Sequence, residues 1–340
     1  MSRHLRMMIA FAFFAAGVVQ HSLTGRNSKR QHLGLIQLFC LTGGRFNDWW
    51  NGVIGRGAKP LTLSSKSGVL GDMAGEEGAA AVRQIREKGY VVFEGALPPD
   101  ECKRLMEFAL TTPSVVRNMD GEAPLATPKK AIFDGVHPDA VRYDFLTDEL
   151  LANPDIQNLL GDQSLLALAE MYLEARPRAD VLSMWWHTGF HGKPDSEAAQ
   201  YYHFDFDRPK WLKVFIYLTD VGPLDGPHTF IEGSHATGGI PQKFLDRGYA
   251  RLMDDEVLDH YGESREIKFM APRGTIIVED TRGLHKGHPV TGNSRLVLQM
   301  QWSNSLFGAT YPKIGFPEER TPKLSEMIRC NGDVYSAYLR

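Results

Sequence analysis

From residue 179 onward the chain reads as a succession of short apolar runs. They fall at 181–187, 199–207, 211–221, 228–231, 266–270, 275–279 and 295–302, rich in β-branched and aromatic residues and separated by Gly, Pro and Asp. That pattern predicts strands joined by turns. The first half has a helical period instead. Ala79, Val82 and Ile85 share one face of a helix over 76–88, and Gly89 follows as a C-cap. A strand is expected at 90–93. A second helix starts at Pro98-Pro99-Asp100 and buries Leu105, Phe108 and Ala109. Residues 146–173 predict two helices broken near Gly161, residues 242–261 one or two short helices between strands, and 321–340 a helical, surface-bound tail. Residues 111–143 are irregular and carry Pro and Gly throughout; a connection that long is expected to cover a binding cleft. The fold class is mainly β with flanking helices (α+β), a two-sheet β-sandwich or jelly roll.

The first 47 residues stand apart. They hold no Asp or Glu but carry Arg3, Arg6, Arg26, Lys29, Arg30 and Arg45. The apolar stretch 7–19 is too short to span a bilayer comfortably. Its basic flank fits the h-region of a signal peptide or part of an acid-poor transit segment, and the alternatives are a membrane-edge helix or a wrongly chosen start codon. The expected layout is therefore an N-terminal targeting or disordered segment at 1–60, a Ser/Gly-rich linker at 61–75, the folded domain at 76–320 and the tail at 321–340.

Composition narrows the function. Hydrophobic content of 43%, charged content of 23% and a net charge of -3 describe an ordinary globular chain. Nothing in them suggests nucleic acid, or a membrane for the folded domain, and the partner expected from the site read below is a small-molecule substrate. Cys40, Cys102 and Cys330 are scattered and odd in number. This speaks against a disulfide framework and for an intracellular reducing compartment, and it removes Cys-based zinc sites. No G-x-G-x-x-G, P-loop or G-x-S-x-G motif supports a nucleotide or serine-hydrolase reading. Nothing in the sequence sets an oligomeric state.

The chemistry centres on His203-Phe204-Asp205. On a strand, alternate side chains share a face, about 7 Å apart along the backbone. An imidazole and a carboxylate so placed can grip one metal ion. Taken by itself, the pair reads equally as a half-buried histidine bonded to its neighbour. The downstream run Gly283-Leu284-His285-Lys286-Gly287-His288, then Arg295 opening the last strand, changes that balance. In a jelly roll, a ligand after a late strand can face a pair on an early one, so His285 is the expected third ligand. His288 fits the spacing to Arg295 less well. Two His and one carboxylate with open positions suggest non-haem Fe(II) oxygen chemistry. A buried Arg295 needs an anion: an internal salt bridge, or a carboxylate-bearing cosubstrate held in a bidentate fork.

These residues resemble the phytanoyl-CoA dioxygenase-like family of Fe(II)/2-oxoglutarate-dependent oxygenases. Tyr90-Val91-Val92-Phe93-Glu94-Gly95-Ala96-Leu97 with Asp100-Glu101-Cys102 is similar to the family's opening strand and helix. His203-Phe204-Asp205 resembles its metal motif, Gly226-Pro227 and Gly233-Ser234-His235 its turns, and His285 with Arg295 its distal histidine and cosubstrate arginine. The resemblance covers roughly 89–302 and implies a double-stranded β-helix (jelly roll, cupin-like). It also implies Fe(2+), 2-oxoglutarate and O2, with hydroxylation of a small organic substrate and release of succinate and CO2. One departure is Gly287, where many relatives carry a hydroxyl residue that helps hold 2-oxoglutarate. Lys213 or Tyr217 is the expected substitute. Asp205 itself argues for oxygenation over halogenation, since related halogenases have a small residue there.

The neutral imidazoles must stay unprotonated to ligate, so iron loss is expected below roughly pH 6. Trp186, Tyr202 and His228 are assigned to the substrate pocket, although His228 also reads as a hydrogen-bonded core histidine. Trp185 and Trp186 cannot share a face, so one ring is core and one is pocket wall. His187 and His191 flank a Gly-Phe turn and face substrate or surface, His235 caps a turn, and Asp207 orients a ligand or sits solvated at the rim. Two rivals remain: a cupin-type metal enzyme of non-oxidative chemistry, and a non-catalytic β-sandwich binding module.

Overall fold

Three helices come first: α1 (Arg3–Thr24), α2 (Lys29–Thr42) and α3 (Arg45–Gly55). The Ser2 and Ser28 side chains accept from the backbone N–H of Leu5 and Gln31, and Gly25 and Gly43 close the first two helices in the left-handed region. This computed structural model describes residues 2–117, 129–190, 194–196 and 198–339. Within the segment read from sequence as targeting or disordered, residues 3–55 thus form three helices that pack on the domain. Their Ala10, Phe14, Leu35, Leu38 and Phe39 are buried in a cluster with Tyr202, Phe204 and Phe206. The apolar stretch 7–19 also sits inside a longer helix, and at 22 residues α1 is long and apolar enough to cross a membrane.

The 61–75 segment forms a hairpin of β1 (Ser67–Gly68) and β2 (Gly71–Asp72), with Leu70 and Met73 buried. Then come α4 (Glu76–Lys88), β3 (Tyr90–Phe93), α5 (Pro99–Thr111), β4 (Ser114–Val116), β5 (Lys130–Ala131) and β6 (Arg142–Asp144). Gly89 ends α4 at φ +100, and a Cβ there would lie 2.5 Å from the Phe230 ring, so both conformation and space require glycine. The segment expected to be irregular at 111–143 contributes three short strands; part of it, 118–128, lies outside the described residues. Helices α6 (Thr147–Ala152), α7 (Pro154–Leu160) and α8 (Gln163–Leu173) follow. The break at Gly161 is present, and Asn153-Pro154 adds a second.

The remaining chain gives β7 (Arg178–His187), β8 (Trp211–Tyr217), β9 (His228–Ile231), α9 (Gln242–Leu245), α10 (Asp254–Tyr261), β10 (Glu266–Lys268), β11 (Ile276–Glu279), β12 (His285–Gly287), β13 (Arg295–Ser303) and α11 (Pro322–Asn331). An eight-stranded sheet has the order β3-β11-β8-β13-β7-β6-β4-β5, and a three-stranded sheet the order β10-β9-β12. Every pairing is antiparallel. This is the double-stranded β-helix with flanking helices. The 199–207 run, expected as a strand, makes only isolated bridges among the described residues: His203 to His285 of the small sheet, and Tyr202 to Leu252.

Alternation divides the large sheet. Leu212, Val214, Ile216, Leu296, Leu298 and Met300 pack outward on the helices α4–α8 and α11. Phe215, Tyr217, Ile277, Val297 and Trp185 face inward, toward Phe230 and Phe269 of the small-sheet side. The tail is more deeply set than a surface helix, with Leu324, Met327, Val334 and Tyr335 all buried.

Candidate metal centre

His203 and Asp205 reach the barrel interior because Tyr202, Phe204 and Phe206, alternating with them, are buried on the opposite side among the N-terminal helices. His203 N–H donates to His285 O at 3.0 Å, and His285 N–H donates back at 2.9 Å. Asp205 N–H donates to Thr281 O at 2.8 Å. These three bonds fix both backbones side by side. The result is a buried group of His203, Asp205 and His285 whose ligand atoms lie within 4.8 Å of one another. His285 Nε2 is 3.4 Å from Asp205 Oδ2, and His203 Nε2 is 3.9 Å from Asp205 Oδ1.

The tautomers suit a cation. His203 Nδ1 lies 2.9 Å from Tyr201 O, and His285 Nδ1 lies 3.0 Å from Gly283 O. A carbonyl only accepts, so each Nδ1 carries a proton, and in the neutral ring Nε2 keeps a lone pair free to ligate. Burial, and then His285, hold the His203 imidazole well below its ordinary value. Burial also lowers His285, but Asp205 beside it more than offsets that and the net shift is upward. For Asp205 burial acts upward, and Lys213 with His285 outweighs it, keeping the carboxyl well below the usual range. A deprotonated carboxylate facing two Nε2 atoms is a donor set for a divalent transition metal.

Arg295 is buried on the inward face of β13. Its guanidinium donates to Gly226 O, and Nη2 lies 2.8 Å from His187 Nδ1. Nε has no partner, and among the described residues no carboxylate pairs with it. Burial, with the Arg142 charge adding to it, pushes it below its ordinary value, and Tyr217 opposes. The internal salt bridge considered from sequence is therefore absent among the described residues, which leaves the buried guanidinium without a counter-charge there.

The proposed second anchors are differently employed. Lys213 ion-pairs with Asp205. It also stands opposite Gln301 on β13, six residues from Arg295. At the strand rise that is roughly 20 Å along the sheet, too far for both side chains to grip one carboxylate. Tyr217 donates to Phe269 O at 3.0 Å and accepts from His228 N at 2.9 Å, so its only proton is already used.

Two pocket assignments are corrected. Trp186 faces the helices and stacks on Phe133 at 4.1 Å, whereas Trp185 is the inward ring, beneath the Arg142 guanidinium at 4.4 Å. Tyr202 points away from the metal group and donates to Glu266 at 2.6 Å. His228 stands beside His285. Its ring lies 5.7 Å from that of His285, and its Nε2 lies 2.9 Å from Glu279 Oε2. His187 is buried beside Arg295; His191 lies outside the described residues. His235 meets Arg86 O at 3.1 Å, and half-buried His288 stays outside the group. Asp207 Oδ2 is 4.0 Å from Lys213 Nζ.

Sequence reasoning missed Glu279, Tyr249 and the Asp280–Arg282 pair. Tyr249 Oη lies 3.4 Å from Asp205 Oδ1. Arg282 grips Asp280 through Nε at 3.0 Å and Nη2 at 2.7 Å, and reaches Asp48 of α3 at 3.1 Å. Only the D-x-R spacing could have signalled this clamp.

The sequence model of the phytanoyl-CoA dioxygenase (PhyH) family matches residues 85–297. No curated protein sequence matches the chain. Similar solved structures include the epimerase SnoN in complex with Fe3+, alpha ketoglutarate and nogalamycin RO, at 20% identity and TM-score 0.47, covering 67% of this chain and 84% of that one. HygX from Streptomyces hygroscopicus with nickel and 2-oxoglutarate bound is similar at 15% identity and TM-score 0.47, covering 71% and 94%. EctD from S. alaskensis with bound Fe is similar at 19% identity and TM-score 0.49, covering 78% and 92%. At these identities no substrate passes from them to this chain.

Proposed function

The chain belongs to the phytanoyl-CoA dioxygenase family and is a 2-oxoglutarate-dependent oxygenase, and from that premise we propose that it hydroxylates a small organic substrate with release of succinate and CO2. In this reading His203, Asp205 and His285 hold Fe(II), and Arg295 receives the far carboxylate of 2-oxoglutarate. The observation that carries it is Arg295: a buried guanidinium with an unpaired Nε and no acid partner among the described residues, in the barrel that holds the His-Asp-His group. Iron with 2-oxoglutarate supplies the oxidative chemistry when bound, and the protein supplies placement.

The chain's own residues divide the work. Tyr201 O and Gly283 O hold the two imidazoles with Nε2 unprotonated and aimed inward. Lys213 keeps Asp205 ionised. His187 accepts from Arg295 and holds the guanidinium in place. The inward rings of Trp185, Phe215 and Phe269 keep the interior apolar, which strengthens charge pairing there.

The test is 2-oxoglutarate-dependent succinate release, measured with iron content. Asp205→Ala is expected to lose stoichiometric iron and turnover together. Arg295→Gln is expected to keep iron while raising the KM for 2-oxoglutarate at least tenfold, since a charge-assisted fork is lost. Full turnover in Asp205→Ala, or an unchanged KM in Arg295→Gln, would overturn the assignment. Turnover with Zn(II) and without O2 would favour the non-oxidative cupin chemistry instead.

A further inference from the structure

The N-terminal helices present a surface the oxygenase reading does not use. Among the described residues, nine of the eighteen exposed large apolar side chains fall within the first 50 positions. Seven of them lie on α1, and five form one stripe: Leu5, Met8, Phe11, Val19 and Leu23, with Ala12 and Ala16 between them and Ile9 and Phe13 to one side. The spacing is that of a single helix face, roughly 27 Å long at the helical rise. Met8 is 63%, Val19 59% and Leu23 80% exposed. Trp49 of α3, 55% exposed, continues the stripe through Phe46, whose ring is 6.1 Å from Phe11 and 5.5 Å from Trp49. A contiguous apolar face of this kind marks an interaction site, whereas the other exposed apolar residues are scattered.

Charge and packing choose the partner. Arg3 and Arg6 flank one end of the stripe, Arg26, Lys29 and Arg30 the other, and all five are exposed. No acid lies among residues 1–47, and the first one, Asp48, is bound by Arg282. The basic ends would meet an anionic surface. The opposite edge of α1 is committed to the protein. Phe14 packs edge-on against Phe46, Trp50 and Phe307, and a Cβ on Gly34 of α2 would lie 2.8 Å from Ala10 O. Crossing a bilayer would strip these contacts away. Lying on one leaves them intact, with only the exposed stripe entering lipid.

We propose that this face docks on an anionic bilayer surface, with α1 parallel to the membrane plane and Met8, Phe11, Val19 and Leu23 seated at the headgroup–acyl boundary. The full chain is sedimented with sucrose-loaded vesicles of phosphatidylcholine, with and without phosphatidylserine. Binding to the phosphatidylserine vesicles is expected, several-fold weaker on phosphatidylcholine alone or at high salt. Met8→Glu/Val19→Glu should abolish it while the circular dichroism and Tm stay unchanged, because both side chains are exposed. Arg26→Ala/Lys29→Ala should weaken it about 30-fold, from about 1 kcal/mol per basic residue. Four results would each overturn the proposal: no sedimentation with either vesicle, binding untouched by the glutamates, resistance to alkaline carbonate with α1 shielded as a spanning helix, or a protein dimer that the glutamates dissociate without any vesicle binding.

Discussion

Glu279 lies behind the metal group, fully buried, with Oε2 against His228 Nε2. Burial, reinforced by Asp205, pushes its carboxyl up to about 8. Burial also holds His228 well below its ordinary value. At neutral pH the contact is therefore a neutral hydrogen bond, the Glu279 O–H donating to the imidazole. Glu279→Gln keeps a donor and should cost less than about 1 kcal/mol, whereas Glu279→Ala leaves a buried acceptor bare and should cost about 1–3 kcal/mol in urea unfolding. Equal losses in the two variants would show that a charged carboxylate is needed. Because the folded value lies above the unfolded one, this group's stabilisation is present below about pH 4.5 and disappears as pH rises through about 8. That slope should be missing in the glutamine variant. None of this was legible in sequence, where Glu279 reads as an acid ending a strand. Tyr202 was legible and misread: the alternation that brings His203 and Asp205 together sends Tyr202 the other way. For Trp185 and Trp186 the same rule says the two rings part, but the face of each depends on which strand pairs with β7.

The loop from β11 to β12 supplies Thr281 O to Asp205 and Gly283 O to His285. Its shape rests on Asp280 and Arg282, buried together with Tyr172 donating to Asp280. Burial would raise the Asp280 carboxyl, but Arg282 prevails and brings it down to about 2. A depressed folded value means stability present above about pH 4 and lost as pH falls through about 2, worth about 2 kcal/mol. Asp280→Asn leaves Arg282 buried without its charge partner and should cost about 3–5 kcal/mol in denaturant unfolding, removing that acid-range slope with it. A loss within 1 kcal/mol would mean that Asp48 suffices for Arg282. The helix over 76–88 and the strand over 90–93 were legible to the residue because cap, period and β-branching agree locally. Strand β12 was not. Gly-Leu-His-Lys-Gly has turn composition and becomes a strand only by pairing with β9.

The barrel as a whole was legible from its succession of strands and turns, because antiparallel pairing needs little beyond alternation. The distant pairing of β12 with the 203 segment could be expected only from the topology of a jelly roll. The packing of the N-terminal arm was illegible for a different reason: an apolar, acid-free sequence does not say which surface it lies against. Here it folds back, and Phe39 of α2 packs on Phe204 and Phe206 at 5.6 and 4.6 Å between ring centroids. The same four residues therefore serve two bodies, with His203 and Asp205 turned to the metal group and Phe204 and Phe206 to the arm. Binding linkage is reciprocal. Whatever free energy the docked arm lends to iron affinity, bound iron must return to the docking of the arm. Phe39→Ala should thus weaken iron binding by competition titration, and iron should slow amide exchange in α2 in the wild type but less in that variant. If exchange in α2 ignores iron, the two bodies are independent. If it responds, the state of the metal is readable some distance away, on the outward face of a helix that touches none of its ligands.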